Sequence, residues 1–145
     1  MADLLVVDAS GILAAVDSGE RAHRSIARLL ARDHRPLVTI DFVLAEADYM
    51  ILTRLGGEAE RAFVQQVVDG VFSREAIGEA DLRRAAEIAG RYREHDLGLT
   101  DAALMAVAER LRARQVLTLD HRHFSVFRDA KGRAFELLPV GRGGG

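Results

Sequence analysis

The 145 residues carry 20 basic side chains against 22 acidic ones, a net charge of −2, and no cysteine. A chain of this length suits one domain with a self-sufficient core. The composition excludes disulfides and thiolate zinc sites, and the charge balance argues against a basic coat for non-specific nucleic-acid binding.

In chain order, Met1-Ala2-Asp3 has no basic n-region, and the apolar run after it is too short for a signal peptide. No later stretch approaches the roughly 20 apolar residues of a membrane span. The expectation is a soluble, cytoplasmic protein. Residues 4–8 read as a buried strand, bounded by Ser10-Gly11. A helical stretch runs from Ile12 to Val16, then another from about Glu20 to Arg32. The second puts Ala22, Ile26, Leu29 and Leu30 on one face and Arg21, Arg24, Arg28 and Arg32 on the other. Pro36 breaks it, and Leu37-Val38-Thr39 is a second strand. Asp41 caps a long apolar helix to about Leu55, which Gly56-Gly57 ends. Residues 58–69 form a helix, Val71-Phe72-Ser73 a third strand, and Glu79 to Arg93 a further helix. Thr100-Asp101 starts a helix to about Arg112, and Val116–Leu119 is the fourth strand. Phe135–Leu138 is a last edge strand ended by Pro139, and Gly141–Gly145 a mobile tail after a single domain at 1–140.

Strands alternating with helices imply crossover units, hence an α/β domain whose mainly parallel sheet is covered by helices on both faces. The runs at 4–8 and 116–119 are apolar throughout, as buried parallel strands are.

Ligand sites in open parallel sheets form outside the carboxyl ends of the strands. Asp8 ends the first strand and Asp120 the fourth, and each is also in position to cap a turn or helix after its strand. Glu46 lies in the apolar helix with Phe42, Val43, Tyr49 and Met50 at helical spacing, where an ionised carboxylate is costly unless paired or metal-bound. Asp48 has similar neighbours on nearly the opposite face, and periodicity does not choose between the two. Asp101 stands in a first helical turn, where acids complement the helix dipole, and Asp96 competes with it. Gathered in one place, Asp8, Glu46, Asp101 and Asp120 would repel one another unless a hard cation neutralised them, which points to Mg²⁺ or Mn²⁺. His121 and His123 come after Asp120 and offer either a metal ligand or an acid/base pair; surface histidines with neither role are the bland reading. Nearly all basic residues are Arg, with Lys131 the only Lys. Arg suits bidentate phosphate contacts, and a coding bias toward Arg explains the same count.

On Val7-Asp8-Ala9-Ser10, on Glu46, on Thr100-Asp101-Ala102, and on Leu117-Thr118-Leu119-Asp120-His121-Arg122-His123-Phe124, the chain resembles a PIN-domain ribonuclease of the VapC toxin type. The likeness covers residues 4–138, and the last two motifs are the more specific. It implies a single PIN-like domain with a four- to five-stranded sheet. It also implies an acidic quartet of Asp8, Glu46, Asp101 and Asp120 as catalytic and metal-binding residues, choosing Glu46 over Asp48 and Asp101 over Asp96. Ser10 and Thr118 match supporting hydroxyl positions. The implied activity is metal-assisted hydrolysis of RNA, transfer or ribosomal, leaving a 5′-phosphate and a 3′-hydroxyl. The implied partners are an antitoxin and a second copy of the chain, with the helices at 42–55 and 59–68 as candidate interfaces.

Competing readings differ in chemistry. A haloacid-dehalogenase-like phosphatase wants an Asp where Ser10 stands, and a receiver wants a late Lys where His121 and Arg122 come after Asp120. A metal-independent ribonuclease would use His121 and His123 as acid and base. A catalytically inactive binding module would keep the fold alone.

Overall fold

The structure, a computed structural model, describes residues 3–140. The expected Gly-rich tail at 141–145 lies outside the described residues. Five strands form one sheet: β1 (Leu5–Val7), β2 (Leu37–Thr39), β3 (Ser73–Arg74), β4 (Gln115–Leu117) and β5 (Glu136–Leu138). Seven α-helices connect them among the described residues: α1 (Ala9–Val16), α2 (His23–Arg32), α3 (Asp41–Leu55), α4 (Gly57–Val68), α5 (Glu79–Arg91), α6 (Leu99–Arg110) and α7 (His121–Phe124).

The strand order is β3-β2-β1-β4-β5, and every neighbouring pair is parallel. From β1 the chain steps outward to β2 and β3, then returns to the other side of β1 to build β4 and β5. Right-handed crossovers place the helices of the two excursions on opposite faces of the sheet. Accordingly α1 packs on α2 and α3, and α3 on α4, while α5 packs on α6. The strand order reverses between β1 and β4, which is where an open α/β sheet leaves a crevice at its carboxyl edge.

Leu5, Val6, Val7, Val116 and Leu117 are buried, as runs covered on both faces must be. Helix α6 is buried from Ala102 to Ala108, so it carries small residues where others carry polar ones. Bidentate ion pairs lock its outer face to α5: Arg84 with Glu109 at 2.8 and 3.0 Å, and Arg110 with Asp81 at 2.9 and 3.2 Å. Phe124 and Phe127 are fully buried, and Phe127 stacks on Phe135 at 5.1 Å, anchoring the segment beyond β4.

Several boundaries differ from the sequence expectation. Helix α1 starts at Ala9 rather than Ile12, because Asp8 caps it. Asp41 is the first residue of α3, not its cap; its carboxylate instead takes a bidentate bond from Arg74 at 2.8 and 2.9 Å, tying α3 to β3. The third strand is Ser73–Arg74 rather than Val71–Ser73, since Phe72 turns into the core and Val71 is exposed before pairing begins. Strand β4 ends at Leu117, so Asp120 does not end a strand; it opens the one-turn helix α7. Gly56 serves as last cap of α3 and first of α4 with φ of 93°, a left-handed backbone that favours glycine. Among the described residues no helix is long and apolar enough to cross a membrane.

Candidate active site

Asp8 leaves β1 and caps α1, and both of its carboxylate oxygens are engaged. Oδ1 accepts from the Ser10 hydroxyl and the Gly11 backbone N–H, each at 2.8 Å; Oδ2 accepts from the Thr118 hydroxyl at 2.6 Å. The two hydroxyls are themselves fixed from beyond β4, Ser10 accepting from the Leu119 N–H and Thr118 from the Asp120 N–H, both at 2.8 Å. This web stitches the ends of β1 and β4 across the switch point. Gly11 is part of it: a Cβ there would stand 2.5 Å from the Leu117 carbonyl oxygen, so only glycine lets α1 start this close to β4. By sequence Gly11 reads as a turn marker, and nothing short of the packing reveals this contact.

Asp120 caps α7, its Oδ1 accepting from the His123 N–H at 3.1 Å. Its Oδ2 stays free of that cap and lies 3.0 Å from His123 Nδ1. Asp101, in the first turn of α6, places its Oδ2 2.9 Å from the same nitrogen. One ligand atom from each of Asp101, Asp120 and His123 falls within 4.8 Å of the others. Capping and membership of this group therefore coexist in Asp120, while Asp8, with both oxygens engaged, is not one of the three. His121 sits on the exposed side of α7.

Glu46 projects from α3 toward this group and is solvent-facing, not buried as its apolar neighbours in sequence suggest; the buried stripe of α3 runs through Val43, Leu44, Ala47 and Ile51. Asp48 turns the other way, to α4. Burial and the neighbouring charge of Asp48 push the Glu60 carboxyl upward, and the two acids share a hydrogen bond when Glu60 is protonated. Asp96 is exposed and ends a 3-10 turn (Arg93–His95) with φ of 49°, a turn role for which Asp is suited.

The electrostatics set Asp8, Glu46 and Asp101 apart from the Arg-paired acids. Asp33, Asp41, Asp81 and Asp129 each bind an Arg and have carboxyls held below the usual range. Burial pushes Asp8 up to about 6, against the lowering effect of Thr118, Gly11 and Ser10, and Asp101 adds repulsion. Burial also raises Asp101, opposed by the His123 hydrogen bond and reinforced by Asp120. Partial burial raises Glu46, with the charges of Asp101 and Asp120 adding to it. Among the described residues no Lys or Arg forms an ion pair with any of the four. Oxygen donors that repel one another and have no Lys or Arg partner, with an imidazole beside them, have the chemistry of a divalent-cation site.

The profile of the PIN domain family matches residues 5–130. The fold is thus that of a PIN-domain protein, and the chain is a member of that family. Ribonuclease VapC26 of Mycobacterium tuberculosis (strain H37Rv) is 35% identical over 135 residues, spanning 93% of this chain and 100% of the relative. Within the family the chain is therefore a ribonuclease of the VapC type. Among solved structures, M. tuberculosis VapC20, a toxin that cleaves the sarcin–ricin loop, matches with a TM-score of 0.76 at 24% identity, over 82% of this chain and 92% of that one. VapBC2 of Rickettsia felis, bound to a DNA fragment from its promoter, matches with a TM-score of 0.66 at 12% identity, over 92% of this chain and 98% of the other. These two establish the shared fold.

Proposed function

We propose that the protein is a Mg²⁺- or Mn²⁺-dependent endoribonuclease that acts as the toxin of a toxin–antitoxin pair. The observation that carries the metal dependence is a contrast in electrostatics: Asp8, Glu46 and Asp101 are raised in pKa and have no Arg partner, while Asp33, Asp41, Asp81 and Asp129 are paired with Arg and lowered. Asp8, Glu46, Asp101 and Asp120 are the residues that hold the ion. A divalent ion there supplies a water of lowered pKa and offsets charge developing on the phosphate oxygens. Ser10 and Thr118 keep Asp8 aimed and favour its ionised form by donating to it. Without a cation the four carboxylates would repel an RNA phosphate, so neutralisation is a condition of substrate entry as well as of chemistry.

The substrate is RNA, with loops of ribosomal or transfer RNA as the candidates. Attack by water leaves a 5′-phosphate and a 3′-hydroxyl. The partners are a cognate antitoxin that feeds a C-terminal segment into the crevice and, in the free state, a second copy of the chain. Exposed Tyr49, Leu52, Val64 and Val68 on α3 and α4 offer apolar surface for such contacts.

Purified protein incubated with cellular RNA, with sequencing of the new 5′-phosphate ends, tests the reading. Cleavage should need Mg²⁺ or Mn²⁺ and stop with EDTA. Activity that survives EDTA and leaves a cyclic phosphate would sink it in favour of histidine acid–base chemistry.

A further inference from the structure

The sequence leaves His123 among three readings, and its placement adds what the acids alone do not. Its Nδ1 faces Asp101 Oδ2 at 2.9 Å and Asp120 Oδ2 at 3.0 Å. A single N–H cannot point along both directions, so as a hydrogen bond the contact is divided between two acceptors. Two donor atoms at right angles on an octahedral ion, with bonds of about 2.1 Å, stand about 3.0 Å apart. The nitrogen is therefore at ligand spacing from both oxygens, and all three donors fall within 4.8 Å of one another.

The ring is held there by the fold. The His123 N–H is the one that Asp120 Oδ1 caps, and the next residue, Phe124, is fully buried. The histidine side chain is 22% exposed, enough for an ion to reach it from solvent.

We propose that His123 is a nitrogen ligand of the divalent ion, joining Asp101 and Asp120 through Nδ1, and that it moves the site's preference away from Mg²⁺ toward transition-metal ions. The proposal rests on reading the crevice as a metal centre. Mg²⁺ is a hard ion that takes oxygen ligands, whereas imidazole nitrogen suits transition metals. An all-carboxylate site has a weaker bias of this kind.

The test uses the full chain loaded with Mn²⁺ and pulsed EPR. The wild-type protein should show nitrogen modulation from the bound ion, and the pattern should change when the protein is grown with ¹⁵N-histidine. His123→Gln should lose the modulation, weaken Mn²⁺ binding about tenfold or more, and weaken Mg²⁺ binding much less; His123→Asn serves where the Gln variant folds poorly. Bound Mn²⁺ without nitrogen modulation in the wild type overturns the assignment and leaves the metal centre standing, as does modulation that survives in the variant. No Mn²⁺ binding at all overturns both.

Discussion

The Thr118 hydroxyl donates to Asp8 Oδ2 at 2.6 Å across 110 positions of sequence, and this bond joins the ends of β1 and β4 at the switch point. Thr118 also accepts from the Asp120 N–H, so one hydroxyl sets two of the four acids. Thr118→Val leaves a buried carboxylate oxygen and an amide without partners. It should cost about 1–3 kcal/mol at neutral pH, measured by urea denaturation, while Thr118→Ser retains most of the stability. It should also raise the Asp8 pKa further, since the Thr118 bond is the strongest influence lowering it. A valine variant with an unchanged urea midpoint would show that the bond contributes nothing.

The metal-free protein should lose stability as pH rises through the weakly acid range. Asp8 has a folded pKa of about 6 against an ordinary value of 3.8, chiefly through burial. Between those values the folded state binds the extra proton, so stability falls as pH climbs from about 4 to about 7. The Asp8 contribution across that window is roughly 3 kcal/mol. Asp8→Asn should abolish cleavage, keep the fold, and flatten this part of the profile; Glu46 and Asp101, also raised, retain a smaller slope of the same sign. Urea melts in EDTA at several pH values measure it, and parallel profiles for variant and wild type contradict the assignment.

Divalent ion should reverse that loss. A ligand that binds only the native state, at a hundred times its Kd, stabilises by about 2.7 kcal/mol, or roughly 5–10 °C in Tm for a chain of this size. Calorimetry with Mn²⁺, then EDTA, measures the gain and its removal. Asp101→Asn combined with Asp120→Asn should eliminate the gain; a double variant that responds like wild type places the ion elsewhere.

Glu46 and Asp48 should part company. Glu46 is solvent-facing, so Glu46→Gln should leave stability within about 0.5 kcal/mol and lower cleavage by at least about tenfold. Asp48 faces Glu60 rather than the crevice, so Asp48→Asn should keep the cleavage rate. The opposite pattern in a paired RNA cleavage assay would mean that the wrong acid had been chosen.

Gly11→Ala introduces a Cβ whose ideal position is 2.5 Å from a backbone carbonyl, where no flexible side chain can yield. Helix α1 must shift from β4, at about 1–3 kcal/mol, and the Asp8 web must stretch with it. Thermal melts and a cleavage assay should both register the change; a variant that melts with the wild type would show that α1 has room to move.

The order of strands and helices, and the parallel sheet, were legible because short apolar runs and amphipathic stretches alternate with clear breakers. Boundaries were less so: Asp8 and Asp41 each look like caps, and only packing shows that Asp8 is one while Asp41 reaches sideways to Arg74. The first acid could be placed at a sheet edge from its strand alone; the fourth was read as ending a strand, whereas it lies three residues past β4 and opens α7. Glu46 needed the family likeness, since a helical wheel treats it and Asp48 alike and the difference lies in which neighbour each meets. His123 was visible as a residue but not as a contact.

By itself the sequence determined the chemistry available, carboxylates and imidazole without a thiol, and the local elements that carry them, because hydrophobic period and capping act over a few residues. Which acids face one another, which find an Arg, and which nitrogen stands between Asp101 and Asp120 were decided by the tertiary structure. Those relations depend on strand order and helix packing between positions far apart in the chain, and short-range patterns carry no information about distance across a fold.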